Sequence, residues 1–86
     1  MDQDTLRQRL TTIFRNTFFQ PDLVIDDDMT AGDVEGWDSL THINLILAVE
    51  KEFDIALTTR DVRSMKNVGD LMQLIARKTE ALPANV

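Results

Sequence analysis

One serine in the chain stands where another enzyme could modify its hydroxyl. Ser39 directly follows Asp38, and both precede a stretch of helical apolar periodicity. Aspartate is a good N-cap, so we expect Ser39 in the first turn of a helix, at an accessible position. A phosphate attached there would lie beside unpaired backbone N–H groups and the positive end of the helix dipole. The pattern therefore predicts a position that tolerates a permanent phosphodiester.

A serine hydrolase is one alternative reading of this region. His42 lies three residues after Ser39, so the two side chains could share one helix face. A hydrolase also needs an orienting acid and an oxyanion hole around a substrate pocket. A chain of 86 residues gives little room for these. We therefore interpret His42 as a surface or pocket-rim residue and predict that the protein is not an enzyme.

A calcium-binding loop is a second alternative, suggested by the acids between Asp26 and Asp38. The loop consensus requires glycine at position six and glutamate at position twelve. Counting from Asp26 places Ala31 and Trp37 at those positions. The chain also has no cysteine, which excludes disulfides and thiolate metal sites. We predict no metal site.

The negative charge is concentrated in the middle of the chain. The net charge is −6, and residues 19–54 contain ten acids and a single base, Lys51. Nucleic acids select basic surfaces, so we do not expect a nucleic-acid partner. An acidic patch either steers basic protein partners toward itself or simply keeps the surface soluble.

Apolar spacing predicts the elements that must position Ser39. Helices are expected over residues 4–18, 39–53 and 68–80, with a short helix over 59–65. Residues 19–38 form a long connection, pinned to the core by candidate anchors at Leu23, Val24, Ile25, Met29 and Val34. The fold class is all-α: a bundle of three main helices plus one short helix, with a long loop between helices 1 and 2.

The second predicted helix has a wider apolar arc than a core-facing helix needs. One face carries Leu45, Ile46, Val49 and Phe53. A second stripe beside it consists of Leu40, Ile43 and Leu47, and Ser39 falls on the border between the two. The second stripe would suit contact with another protein, and an unmodified helical interaction module would explain it equally well.

Length and termini predict the organisation of the whole chain. We expect one domain over residues 1–80 and a frayed tail over residues 81–86. No run of 18 apolar residues occurs, so no membrane span is expected. Met1-Asp2-Gln3-Asp4 lacks the features of a secretory signal, which favours a cytoplasmic protein. We expect a monomer.

The segment around Ser39 resembles the acyl carrier protein family. The resemblance rests on Gly36-Trp37-Asp38-Ser39-Leu40, then Ile43, Leu45 and Leu47, and then Val49-Glu50-Lys51-Glu52-Phe53. It extends over roughly residues 4–78, through the acidic loop, the short helix after Ile55-Ala56-Leu57 and the last helix from Asn67-Val68. It implies a carrier that holds acyl intermediates as thioesters for enzymes of fatty-acid, lipid or polyketide-type synthesis.

The resemblance also implies roles for individual residues. Ser39 would carry 4′-phosphopantetheine, transferred from coenzyme A, and Asp38 would help position the phosphopantetheinyl transferase and its magnesium ion. The thiol must come from this cofactor, since the chain has no cysteine. Other partners would be acyl-activating, acyl-transferring or condensing enzymes. The apolar positions facing them would be Leu40, Ile43 and Leu47.

A gap between the second and third helices could store the acyl chain. Its walls would be Ile46, Val49, Leu57, Val62 and Met65, of which the last two match the region that closes over the arm in the family. Their apolar character fits a plain core equally well. A stored methylene would contribute about 0.8 kcal/mol.

Several positions depart from the family pattern. Thr41, His42 and Asn44 replace the usual acids of the second helix, and the short third helix carries Arg60 and Arg63. We therefore expect a dedicated partner set in a specialised pathway, with bases opposite Asp38, Glu50 and the loop, and acids or neutral groups opposite the two arginines. The alternative is that the arginines pair with Asp61 or nearby loop acids.

Overall fold

The computed structural model describes residues 2–81, without the side chains of residues 80 and 81. Its elements are α1 (Gln3–Thr17), α2 (Ser39–Phe53), α3 (Thr59–Ser64) and α4 (Val68–Ala81), with a 3₁₀ turn at Ala31–Asp33 inside the loop between α1 and α2. This confirms the predicted all-α bundle of three main helices and one short helix. Within the described residues, no helix has both the length and the apolarity needed to cross a membrane.

Helix α1 packs against both α2 and α4, and one apolar cluster fills the space between them. The four positions predicted to face the core from α2 are buried, and the buried apolar residues of α1 and α4 also recur at helical spacing. The cluster consists of Leu6, Leu10, Ile13, Phe14, Phe18, Ile25, Val34, Leu45, Val49, Phe53, Val68, Leu71, Met72 and Ile75. A single core therefore sets the direction of α2 and with it the position of Ser39.

Side chains cap the starts of α3 and α4. The Thr58 hydroxyl accepts from the Asp61 backbone N–H at 3.0 Å, and the Asp61 carboxylate accepts from the Thr58 N–H, also at 3.0 Å. At α4, Asn67 Oδ1 accepts from the Asp70 N–H at 2.8 Å. The Asp70 carboxylate accepts from the Lys66 N–H at 3.0 Å, which ties the loop before α4 to the first turn of this helix.

The long loop is anchored at fewer places than the sequence predicted. Ile25 and Val34 are buried, and Leu23 and Met29 are half-buried against the core. The prediction that Val24 is an anchor is wrong, since its side chain is 73% exposed. Three consecutive side chains cannot all point the same way, and Val24 points away from the side that Ile25 occupies.

Backbone hydrogen bonds join the loop to the start of α4. The Val68 N–H donates to the Met29 carbonyl at 2.9 Å, and the Gly69 N–H donates to the Asp27 carbonyl at 2.8 Å. A Cβ atom at position 69 would lie 3.1 Å from the Asp27 carbonyl oxygen, so glycine permits this close approach. The loop carbonyls thereby satisfy N–H groups at the start of α4 that have no partner inside the helix.

Ion pairs link the other elements. Arg7 of α1 pairs with Asp27 of the loop at 2.6 Å, and Lys78 of α4 pairs with Asp61 of α3 at 2.8 Å. The predicted boundary at residue 80 and the predicted frayed tail stay predictions. Ala81 is the last residue of α4, and residues 82–86 lie outside the described residues.

Candidate functional site

Ser39 is the first residue of α2 and is exposed. Within the described residues its hydroxyl makes no hydrogen bond. The only other serine of the sequence, Ser64, donates its hydroxyl hydrogen to the Asp61 carbonyl at 2.9 Å. Ser39 therefore offers a free and accessible hydroxyl to a modifying enzyme, at the place that the N-cap pattern predicts.

Asp38 caps α2 immediately before this serine. Its Oδ1 atom accepts from the backbone N–H groups of Leu40 and Thr41, both at 3.0 Å. These hydrogen bonds, that of Thr41 first, lower the pKa of the Asp38 carboxyl below its ordinary value. A charged carboxylate therefore lies beside Ser39 at neutral pH. The expectation of unpaired N–H groups beside a phosphate is wrong for Leu40 and Thr41, because Asp38 accepts from both, whereas the N–H of Ser39 has no acceptor within the described residues.

Thr41 closes the turn that leads into α2. Its hydroxyl donates to the Gly36 carbonyl at 2.6 Å, and its Oγ1 atom accepts from the Asp38 N–H at 2.8 Å. Gly36 has a φ of +88°, a backbone conformation that glycine adopts without steric cost. Thr41 thus orients the residues that precede Ser39, which explains a threonine where the family pattern is usually acidic.

Trp37 links this turn to the core and to α2. Its ring contacts Phe14 and Phe18, with centroid distances of 5.4 and 5.7 Å. Its Nε1–H donates to Nδ1 of His42 at 3.0 Å, and the planes of the two rings differ by 20°. A surface depression beside Ser39 is lined by Ala31, Trp37, Asp38, Ser39 and His42. This confirms His42 as a pocket-rim residue, whereas its bond to Trp37 had no signal in the sequence.

The predicted second stripe of α2 faces solvent. Leu40, Ile43 and Leu47 are 70%, 57% and 58% exposed, while Leu45 and Val49 on the neighbouring face are fully buried. These three large apolar side chains lie along one exposed face of α2. They begin one residue after Ser39.

The two arginines of α3 are exposed, and within residues 2–81 neither makes an ion pair. Asp61 pairs instead with Lys78 of α4, so the alternative that Arg60 and Arg63 are neutralised by Asp61 is wrong. Glu50 has an internal role that the sequence did not reveal. Its Oε2 atom accepts from the Leu57 backbone N–H at 2.9 Å.

The five residues proposed to line an acyl pocket occupy different depths. Val49 belongs to the central cluster, and Leu57 and Met65 pack against its edge. Ile46 is buried, and Val62 is half-buried. All five lie on α2, on α3 or in the adjoining loops, as the sequence predicted, and the internal pocket itself stays a prediction.

Comparison with known proteins identifies the family. The family profile described as "Phosphopantetheine attachment site" matches residues 8–75. The acyl carrier protein of Syntrophobacter fumaroxidans is 26% identical over 81 residues, which cover 94% of this chain and 100% of that protein. The acyl carrier protein of Clostridium acetobutylicum is 40% identical over 45 residues, which cover 52% of this chain and 58% of that protein.

A solved structure agrees with these sequence matches. The solution NMR structure of the holo acyl carrier protein from Geobacter metallireducens superimposes with a TM-score of 0.82 at 36% identity, covering 86% of this chain and 85% of that chain. The hydroxyl of Ser39 is free and exposed at the start of α2, which fits the attachment of phosphopantetheine there. The chain therefore belongs to the acyl carrier protein family, as a carrier and not an enzyme, and its cofactor is a covalently attached 4′-phosphopantetheine.

Proposed function

We propose that the arm is attached to Ser39 Oγ and that the protein holds acyl intermediates on it for enzymes of fatty-acid, lipid or polyketide-type synthesis. The main support is the free, exposed hydroxyl of the first residue of α2, inside the segment that matches the family. The arm supplies a terminal thiol that forms the thioester, a group that a chain without cysteine lacks. An unmodified interaction module does not fit the family match.

Asp38 helps the transferase to modify Ser39. Both backbone N–H groups that Asp38 accepts from bond to its Oδ1 atom, so Oδ2 has lone pairs available for a magnesium ion brought by the transferase. This carboxylate is charged at neutral pH, and its hydrogen bonds lower its pKa further below the ordinary value of 3.8. The protein supplies a fixed carboxylate next to the hydroxyl that reacts.

The test is the intact mass of the protein after incubation with coenzyme A and a phosphopantetheinyl transferase. The wild-type chain should gain the mass of one phosphopantetheine, and Ser39→Ala should gain nothing while its circular dichroism stays unchanged. Ser64→Ala is the matched control, since it removes the other serine hydroxyl, and it should gain the arm like the wild type. An arm on Ser39→Ala would disprove the attachment site.

Partner enzymes contact the start of α2 and then α3. The exposed stripe Leu40, Ile43 and Leu47 provides a small apolar contact, and Asp38 supplies negative charge at one end of it. Docking should be weak and brief because the carrier must move between enzymes. The arm then presents its cargo to a docked active site at a high effective concentration. The unpaired Arg60 and Arg63 add positive charge at the other helix, which favours partners with acids or neutral groups there.

The cargo is an acyl chain that can fold inward between α2 and α3. Val62 and Met65 are half-buried there, so a modest outward shift of α3 would bring the chain into contact with Ile46 and Val49. Thermal melts of proteins loaded with progressively longer acyl chains test this storage. A melting temperature that does not rise with chain length would contradict it. The cytoplasmic location and the monomeric state stay predictions.

A further inference from the structure

A phosphodiester on Ser39 would meet a helix start at which most backbone N–H donors are already in use. The N–H groups of Leu40 and Thr41 both donate to the Asp38 carboxylate, and the His42 N–H donates to the Asp38 carbonyl at 2.9 Å. The phosphodiester would also place its negative charge beside that of Asp38. Of the N–H groups in the first turn, only that of Ser39 itself has no acceptor within the described residues, so a side-chain donor would add to the orientation of the phosphodiester.

His42 is placed to be that donor. It lies one helical turn after Ser39, and side chains of a helix lean toward its N-terminus, so the imidazole leans toward the serine. Both residues line the same surface depression. The imidazole is half-buried, which limits its movement.

Trp37 determines which imidazole nitrogen carries the proton. The indole Nε1–H can only donate, and it donates to His42 Nδ1 at 3.0 Å. Nδ1 is therefore the acceptor, and the neutral imidazole carries its hydrogen on Nε2. Within residues 2–81 no protein group accepts from Nε2. The Phe14 and Phe18 rings pack against the indole and hold the donor in place.

We propose that His42 is a positioning residue for the phosphopantetheine arm, with its Nε2–H donating to a non-bridging phosphodiester oxygen on Ser39. The proposal rests on attachment at Ser39. By helix geometry, His42 lies on one side of Ser39 and the stripe Leu40, Ile43 and Leu47 lies on the other. The bond therefore directs the start of the arm over the depression beside Trp37 and leaves the stripe open for partners.

The test uses the full-length holo protein and two spectroscopic readouts. A long-range ¹H–¹⁵N spectrum should show the Nε2–H tautomer of His42 in both apo and holo protein, with the Nε2–H resonance shifted downfield when the arm is present. His42→Gln keeps an amide donor near the Nε2 position, whereas His42→Asn keeps an acceptor for Trp37 but is too short to reach the phosphodiester. The ³¹P shift should be retained in His42→Gln and displaced in His42→Asn.

The outcomes separate this inference from the function it rests on. A wild-type chain that gains no arm by intact mass overturns both. Suppose that the wild type carries the arm but shows the same ³¹P shift as His42→Asn, or carries its imidazole proton on Nδ1. Either result overturns only the role of His42. Circular dichroism monitors folding of the variants. If His42→Asn is unfolded, the role of His42 is judged from the wild type alone, by its imidazole tautomer and by the shift of its Nε2–H resonance when the arm is attached.

Discussion

The Glu50 carboxylate accepts a hydrogen bond from the Leu57 backbone N–H, with 2.9 Å between Oε2 and N. This bond joins the last turns of α2 to the loop that leads into α3. Glu50 was predicted as a residue that faces basic partners, and the structure gives it an internal contact as well. The bond therefore holds α3, which carries Arg60 and Arg63, at a defined distance from α2.

Glu50→Ala should lower the free energy of unfolding by about 1 to 2 kcal/mol, because the half-buried Leu57 N–H loses a charged acceptor. Glu50→Gln retains an oxygen acceptor, so its free energy of unfolding should fall by less than that of Glu50→Ala. Urea denaturation measures both, and amide hydrogen exchange at Leu57 should speed up in the alanine variant alone. If Glu50→Ala unfolds at the same urea concentration as the wild type, the bond has no role in stability.

The Asp61–Lys78 ion pair should make stability depend on acid pH. The pair lies at 2.8 Å, and Lys78 together with the Thr58 N–H lowers the pKa of the Asp61 carboxyl from 3.8 to about 2. A carboxyl whose pKa is lower in the folded state stabilises the fold at pH values above its ordinary pKa. That contribution disappears as the pH falls toward 2.

Urea midpoints of wild type and Asp61→Asn, compared from neutral pH down to about pH 2, measure this contribution. The wild type should be the more stable at neutral pH, and the difference should vanish at the acid end. Lys78→Gln should reduce the difference, and Lys66→Gln, which removes the charge of an exposed lysine in the preceding loop, should not. A difference that is independent of pH would exclude the ion pair as its cause.

Phe19 occupies a backbone conformation that glycine favours. Its φ is +55°, its side chain is 89% exposed, and the Gln20 N–H after it donates to the Arg15 carbonyl at 3.0 Å in a Schellman arrangement. Phe19→Gly should raise the free energy of unfolding by about 1 kcal/mol, since the left-handed conformation costs other residues roughly that much.

Asp54 provides the matched comparison for Phe19. It ends α2 with a φ of +54°, and the following Ile55 N–H donates to the Glu50 carbonyl at 3.2 Å. Aspartate tolerates the left-handed conformation better than phenylalanine does. Asp54→Gly should therefore raise the free energy of unfolding by less than Phe19→Gly. Thermal melts rank the two variants. A loss of stability in Phe19→Gly would show that the exposed ring contributes more than its backbone strain costs.

The charge of α3 should select partners. We expect Arg60→Glu with Arg63→Glu to improve loading of the holo protein by a housekeeping malonyl transferase and to impair loading by an acyl-activating enzyme encoded beside it. A change of about tenfold in rate would correspond to roughly 1.4 kcal/mol. This size is reasonable for like charges that meet at an exposed, salt-screened interface.

The control for this prediction is Lys66→Glu with Arg77→Glu. It changes the net charge by the same amount as the double variant of α3, but at positions outside that helix. It should leave both loading rates near those of the wild type. Efficient loading by both enzymes regardless of the charge reversal would contradict a dedicated partner set. The protein would then serve the general pool of fatty-acid enzymes.

The helices were predictable because their apolar positions recur at helical spacing and cluster on one face. Residues 39–53 were predicted as α2, and Ser39–Phe53 is the helix observed. The position of Ser39 was also predictable, because the N-cap at Asp38 is a local pattern. The family profile and the resemblance agree over this segment.

The contacts that shape the site were not predictable from local pattern. The bond from Trp37 to His42 depends on the turn at Gly36 and on the packing of Trp37 against α1, neither of which a periodicity describes. Val24 was wrongly predicted as buried because an apolar run in a loop has no helical or strand period to orient it. Glu50 looked like a surface acid, since only the folded loop brings the Leu57 N–H to it.

The bonds from Val68 and Gly69 to the Met29 and Asp27 carbonyls have a consequence for synthesis. The loop that leads to Ser39 is held in part by residues near the other end of the sequence, so a nascent chain that ends before α4 lacks two of the hydrogen bonds that fix this loop. The segment before Ser39 should therefore reach its final position once α4 has been translated and has docked. Attachment of the arm would then mark chains whose folding is complete and leave truncated or misassembled products without cargo.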